Sequence, residues 1–141
     1  MEQNYETLFK AFTFGFLRYY EYDITQLRDS VREILKDWGK ELWIAEEAEY
    51  GGKILIIREN KSTSQHYHKD KKETIYCFKG MVDIALTDRT VTLREGDDVT
   101  LFPKTIHTIT GKRDSILFEV STPQLADVVR LTENPKRTGS P

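Results

Sequence analysis

Short segments with the composition of β-strands recur about every ten residues from Leu42 onward, and this rhythm constrains the fold most. Each segment is rich in β-branched and aromatic residues, and Gly, Asp, Asn or Pro stands between one segment and the next. The segments are KILIIREN, TIYCFKG, MVDIALTD, RTVTLREG, DVTLFPK, TIHTITG and SILFEVST. Such a series of short strands predicts a β-sandwich or a small β-barrel.

The residues before position 40 have a helical pattern instead of a strand pattern. Apolar residues in DITQLRDSVREILKDWGK recur at helical spacing, Asp23 can cap the start, and Gly39 stands where helices commonly end. These signals predict a helix over residues 24–38. Eight of the 16 aromatic residues lie between Tyr5 and Tyr22, which indicates either a helical lid or a subunit interface.

The predicted organisation is therefore one β-domain with flanking segments. We place a helical, aromatic extension at residues 1–37, the β-barrel at 38–133, and a polar tail at 134–141. A length of 141 residues suits one compact domain with a core of its own.

Charge and composition exclude some partners and suggest a location. A net charge of −2 gives no electrostatic reason to expect nucleic acid. We find no apolar run long enough to span a bilayer and no signal-peptide profile at MEQNYETLFK, so no membrane is expected. The single cysteine, Cys77, suits a reducing cytoplasm, where we expect the protein.

All three histidines of the chain fall into one arrangement. His66 and His68 project to the same face of a strand, Glu73 begins the next strand, and His107 begins another 39 residues beyond His68. Three imidazoles and one carboxylate suit one divalent transition metal, either Mn, Fe, Co, Ni or Zn. Two coordination positions would stay open for water or substrate.

These residues resemble the cupin signature. Its first motif matches His66-Tyr67-His68, four residues, Glu73, six residues and Gly80, and a looser second motif runs from Gly96 through Pro103 and His107 to Gly111. The resemblance implies a double-stranded β-helix, that is, a jelly-roll barrel, with the metal ligands at His66, His68, Glu73 and His107.

A narrower resemblance includes the flanks WGKELWI and EVSTPQLADVVRLTE. Both are similar to segments that bracket the cupin domain of type II mannose-6-phosphate isomerases and their small stand-alone relatives. This likeness spans residues 38–133. The isomerases usually carry glutamine in place of His66, an arginine where this chain has lysines after the paired ligands, and a different ending in place of NPKRTGSP.

The resemblance implies a metal-dependent sugar or sugar-phosphate isomerase or epimerase. A metal would polarise the carbonyl of an open-chain sugar, and a base would move a proton between neighbouring carbons. Our candidate for the base is Glu119, with Arg58 and Asp83 as comparable alternatives. Arg58, Lys71 and Lys104 are the candidate substrate-binding cations, although loop lysines are more often solvated surface.

Two other functions stay open at this point. An iron-dependent dioxygenase would use the same ligands, and a non-catalytic sugar-binding module would use the barrel without turnover. In each case the partner is a small molecule. We also expect a homodimer, because a barrel edge and an aromatic arm favour pairing.

Overall fold

The computed structural model describes residues 31–132, and these residues form eleven β-strands. The strands in chain order are β1 (Arg32–Lys36), β2 (Gly39–Glu46), β3 (Gly51–Ile57), β4 (His66–His68), β5 (Glu73–Lys79), β6 (Met81–Leu86), β7 (Thr90–Arg94), β8 (Asp98–Leu101), β9 (His107–Gly111), β10 (Ser115–Ser121) and β11 (Val128–Arg130).

The strands form two sheets. The first sheet has six strands in the order β1-β2-β3-β10-β5-β8, and the second has five in the order β11-β4-β9-β6-β7. All of the strand pairs with an assigned register are antiparallel. From β3 onward the chain passes from one sheet to the other at nearly every connection, as in a jelly roll. The mainly-β prediction is confirmed.

The core fills one half of the space between the sheets. Along β3, β5 and β10 the apolar residues alternate with outward-facing positions, so Leu55, Cys77 and Leu117 point to the second sheet. There they meet Val82 and Ile84 of β6, which are completely buried. Each such aliphatic side chain contributes about 1.5–3 kcal/mol through removal from water. This packing holds the two sheets together.

The other half of the first sheet's inner face is polar. Three charged residues occupy inward positions on β3, β5 and β10, two to four residues along each strand from its apolar core residue. They are Lys53, Glu73 and Glu119. Each of the three is at most 6% exposed. The apolar half of the space between the sheets therefore stabilises the fold, and the charged half lines a candidate site.

The helix predicted for residues 24–38 is wrong over its second half. Arg32–Lys36 form β1, which pairs with β2 at the edge of the first sheet. Gly39 has a φ of +146°, and a Cβ there would lie 1.8 Å from the carbonyl oxygen of Ile56, so the glycine begins a strand after a tight turn. Pairing with β2 thus overrides the helical spacing.

The remaining predictions for the ends of the chain lie outside the described residues. These are the helix before residue 31, the aromatic segment, and the tail at 134–141. Within residues 31–132 we find no helix with the length and hydrophobicity needed to cross a membrane.

Candidate metal centre

The three histidines converge at one end of the space between the sheets. His66 and His68 lie on β4 with Tyr67 pointing the other way, and His107 on β9 pairs directly with His66. The ring centroids of His66 and His107 are 4.4 Å apart, and one ring nitrogen of each histidine lies within 4.8 Å of the others. Strand alternation and this pairing therefore bring together the residues expected from the sequence.

Each imidazole is oriented by a hydrogen bond from its Nδ1 atom to an oxygen acceptor. The acceptors are the carbonyl oxygen of Ser64 for His66 (2.7 Å), Oδ1 of Asp127 for His68 (2.8 Å) and the carbonyl oxygen of Thr105 for His107 (2.9 Å). Because carbonyl and carboxylate oxygens only accept, the proton of a neutral ring lies on Nδ1 and the lone pair lies on Nε2. This is the tautomer that a metal-binding histidine needs.

Glu73 completes the donor set. Its Oε1 atom lies 3.3 Å from Nε2 of His107 and 3.7 Å from Nε2 of His68. A carboxylate oxygen and an imidazole lone pair repel at such a distance unless a cation lies between them. The residues therefore fit a divalent transition metal held by three nitrogens and one oxygen. We call His66, His68, Glu73 and His107 the metal pocket.

Burial keeps two of the imidazoles neutral. It lowers the pKa of His66 to about 4, with the neighbouring His107 adding to the shift. Burial and then the charge of Lys71 lower the pKa of His68. Burial opposes ionisation of Glu73, but the side chain of His107 and the charge of Lys71 outweigh it, so its pKa lies below the usual value. At neutral pH the pocket is therefore ready to bind a cation without releasing many protons.

Asp127 is the residue that sequence reasoning missed. Its carboxylate accepts from Nδ1 of His68 and also from the backbone N–H groups of Asp70 and Lys71, at 2.8 and 3.0 Å. It thereby fixes both the ring of His68 and the loop between β4 and β5. Burial opposes its ionisation, but these backbone donors outweigh burial and lower its pKa. Asp127 lies 59 residues from His68, so no local spacing could reveal it.

Lys71 is buried between two carboxylates. Its ammonium group lies 2.6 Å from Oε2 of Glu73 and 2.7 Å from Oε1 of Glu119, and the residue is 1% exposed. Burial disfavours its charge, but Glu119 and then Glu73 outweigh burial and raise the pKa of Lys71. Burial and then the charge of Glu73 raise the pKa of Glu119. Lys71 thus connects the metal pocket to a second, more basic carboxylate.

The metal pocket opens into a cavity of about 240 Å³. Its lining residues are Lys36, Trp38, Glu41, Trp43, Lys53, Leu55, Thr63, Ser64, His66, His68, Lys71, Glu73, His107, Ile109, Glu119, Leu125, Ala126, Val128 and Arg130. Glu119 and Lys71 of the sequence-based candidates lie here with the metal pocket. Arg58 and Lys104 do not line it, and both are exposed. Asp83 is also absent from the lining and instead accepts a hydrogen bond from Thr92 at 2.7 Å.

The low pKa of His66 predicts a specific dependence of stability on pH. The unfolded chain takes up a proton on this ring near pH 6.5, whereas the folded protein does so only near pH 4. The unfolded state therefore binds more protons in this window, and the free energy of unfolding falls as pH drops through it. In urea titrations of chelator-treated protein, His66→Gln should show a smaller loss between these two pH values. Equal losses in the two proteins would contradict the assigned burial.

The jelly-roll sandwich and its inward-facing His, His, Glu and His residues define the protein as a cupin. More narrowly, the family model described as mannose-6-phosphate isomerase C-terminal matches residues 24–133, and the chain belongs to that family. The match begins at residue 24, whereas the resemblance seen in the sequence begins at residue 38. The comparison with curated proteins by sequence found no match.

Solved structures show the same fold at low sequence identity. KdgF from Halomonas sp. is 15% identical with a TM-score of 0.61, over 67% of this chain and 87% of KdgF. A cupin-2 domain protein from Shewanella frigidimarina is 18% identical with a TM-score of 0.54, over 74% of this chain and 96% of its own. Oxalate decarboxylase from Bacillus subtilis is 14% identical with a TM-score of 0.64, over 73% of this chain and 30% of its own. These similarities concern the fold alone.

Proposed function

We propose that the protein is a metal-dependent sugar or sugar-phosphate isomerase or epimerase. The observation that carries the proposal is the position of Glu119, a buried carboxylate with a raised pKa in the same cavity as the metal pocket. Membership of the mannose-6-phosphate isomerase C-terminal family supports the reaction class.

The metal pocket would hold one divalent ion of Mn, Fe, Co, Ni or Zn through His66, His68, Glu73 and His107. When bound, such an ion supplies Lewis-acid polarisation of a substrate carbonyl, which acidifies the neighbouring C–H group. The hydrogen bonds at the three Nδ1 atoms keep the rings in position before the ion arrives.

Glu119 would then transfer the proton. Its carboxylate removes the proton from the acidified carbon and returns it on the same face to the neighbouring carbon for isomerisation, whereas epimerisation would need a second acid to supply the proton on the opposite face. Burial makes this carboxylate a stronger base than an exposed glutamate, and the ion pair with Lys71 at 2.7 Å keeps it ionised. Lys71 also holds the carboxylate in a fixed orientation, since it bonds Glu73 at the same time.

The test is turnover with defined metal. Chelator-treated protein is reconstituted with Mn, Co, Ni, Zn or Fe(II) and incubated with a panel of aldoses, ketoses and their phosphates in D₂O. The proposal expects isomerised or epimerised sugar with solvent deuterium at the reacting carbon, as measured by NMR. No conversion of any panel member with any metal would count against the isomerase.

Two other outcomes correspond to the alternative functions. The same three-histidine, one-glutamate donor set suits iron-dependent oxygen chemistry, so oxygen consumption with Fe(II) alone would favour a dioxygenase. Saturable sugar binding without turnover would favour a binding module.

We also propose that the protein is a homodimer located in the cytoplasm. Strand β1 lies at an edge of the first sheet, where Leu35 is 74% exposed, and such an edge supports a homodimer. A monomeric mass by light scattering would refute it. Cys77 is buried and unpaired, which supports a reducing location such as the cytoplasm.

A further inference from the structure

We infer that the cavity contains a second subsite, formed by Lys53 and Lys36, that binds an oxyanion of the substrate, either a carboxylate or a phosphate. The inference rests on the proposed function, because it takes the metal pocket as the place of the sugar's carbonyl end. It names cations that differ from Arg58 and Lys104.

Lys53 has a buried ammonium group that makes no hydrogen bond to the residues the structure describes. Lys53 is 6% exposed, and among the described residues its closest acidic atom is Oε2 of Glu41 at 3.7 Å, which is too long for a hydrogen bond. Its Nζ atom lies 4.4 Å from the ring centroid of Trp43, a cation–π contact that offers no acceptor. Buried donors are nearly always paired in folded proteins, and within residues 31–132 this one has no acceptor at hydrogen-bond distance, so we expect a ligand oxyanion to supply it.

Lys36 adds a second cation to the same place. Its Nζ atom lies 3.8 Å from Oε1 of Glu41, so one carboxylate faces two lysines, one at each oxygen. The carboxylate is itself held by a hydrogen bond from Nε1 of Trp43 at 2.8 Å. Glu41 is thus shared by two ammonium groups, and the other carboxylate near Lys53 is Glu119, whose pKa burial raises and the charge of Lys53 lowers in part.

The charges of the side chains that line the cavity also favour the binding of an anion. Four cationic side chains and three carboxylates line it, so positive charge is in excess although the chain carries a net charge of −2. Lys71 is not available to a ligand, because its ammonium group is taken by Glu73 and Glu119 at 2.6 and 2.7 Å. Outside that cluster, the cavity lining contains the cations Lys36, Lys53 and the exposed Arg130 and one carboxylate, Glu41.

The distance between the two subsites suits an open-chain sugar. Lys53 lies on β3 and Glu73 on β5, and β10 separates these strands, so their backbones are roughly 10 Å apart across the sheet. Glu119 pairs with Lys53 in register and lies between the two ends. A ligand with its carbonyl at the metal pocket and its oxyanion at Lys53 would extend past Glu119, the proposed base for the carbon next to the carbonyl.

The test uses the two tryptophans of the chain, since both Trp38 and Trp43 line the cavity. Metal-free protein is titrated with inorganic phosphate, and separately with acetate, at constant ionic strength held with chloride, and intrinsic fluorescence is recorded. We expect a saturable change, and the anion that binds more tightly identifies phosphate or carboxylate as the ligand group.

Lys53→Met should weaken this binding at least tenfold, and Lys53→Arg should restore most of it. Lys104→Met, a matched change of an exposed lysine outside the cavity, should leave the dissociation constant within about twofold. Circular dichroism confirms that each variant is folded. An unsaturable response in the wild-type protein, or equal affinities for wild type and Lys53→Met, would overturn the subsite.

The outcomes separate this inference from the proposed function. Anion binding that needs Lys53, without turnover of any sugar, would leave the subsite in place and remove the isomerase. Turnover of neutral and anionic sugars at equal kcat/KM, unchanged by Lys53→Met, would leave the isomerase and remove the subsite.

Discussion

Glu119→Gln should lower kcat by about two to four orders of magnitude, the range that a positioned general base contributes. The amide keeps the size and the burial of the side chain but cannot accept the carbon-bound proton. Because Glu119 is not one of the four residues of the metal pocket, the variant should still bind one metal ion per chain. Steady-state rates on a substrate from the panel, together with solvent deuterium incorporation, measure the loss.

Asp83→Asn provides the matched control, since Asp83 is the other acidic residue that the sequence allowed as a base. It bonds Thr92 and lies 3.7 Å from Lys112, away from the cavity, so this variant should keep the wild-type rate. A Glu119→Gln protein that retains wild-type deuterium exchange would show that another group moves the proton.

Lys71→Met should lower the free energy of unfolding of the metal-free protein by about 3–5 kcal/mol, the usual effect of removing one member of a buried ionic cluster. The substitution keeps an unbranched side chain of similar length but leaves Glu73 and Glu119 facing each other, at 3% and 5% exposure. Both carboxylates would then be buried without the ammonium group that bonds them. Urea denaturation at neutral pH with chelator present measures the change.

Lys72→Met is the control for that experiment, because Lys72 belongs to the same loop but its ammonium group lies over the ring of Phe102 and is not in the ionic cluster. Its effect should stay within about 0.5 kcal/mol, as for most surface substitutions. Part of the loss in Lys71→Met should disappear at acidic pH, where the two glutamates take up protons. A loss below about 1 kcal/mol at neutral pH would mean that the cluster is hydrated.

The metal pocket could be predicted because its determinants are local. Alternation along a strand places His66 and His68 on one face, and turn residues mark where Glu73 and His107 begin their strands. The inward orientation of Glu119 could not be predicted, since alternation gives two faces without saying which one is buried. The structure assigns it to the inner face, opposite the outward Val120, which is 62% exposed.

The other differences arise from contacts between distant segments. Val31–Trp38 carry helical spacing, yet pairing with β2 makes Arg32–Lys36 a strand. The sequence placed candidate cations next to the ligands along the chain, whereas the cavity wall opposite the metal pocket contains Lys53 from β3. Residues that are close together in a jelly roll are therefore often far apart in the sequence, because adjacent strands are seldom consecutive.

We propose that His66, His68, Glu73 and His107 hold one metal ion, and elemental analysis measures this. Protein purified without chelator, and chelator-treated protein reloaded with Co(II), should each contain close to one divalent ion per chain. His68→Ala should contain none under the same conditions, while Asp83→Asn should match the wild type. A wild-type protein that takes up no metal on soaking, or a His68→Ala variant that keeps its metal, would contradict the claim.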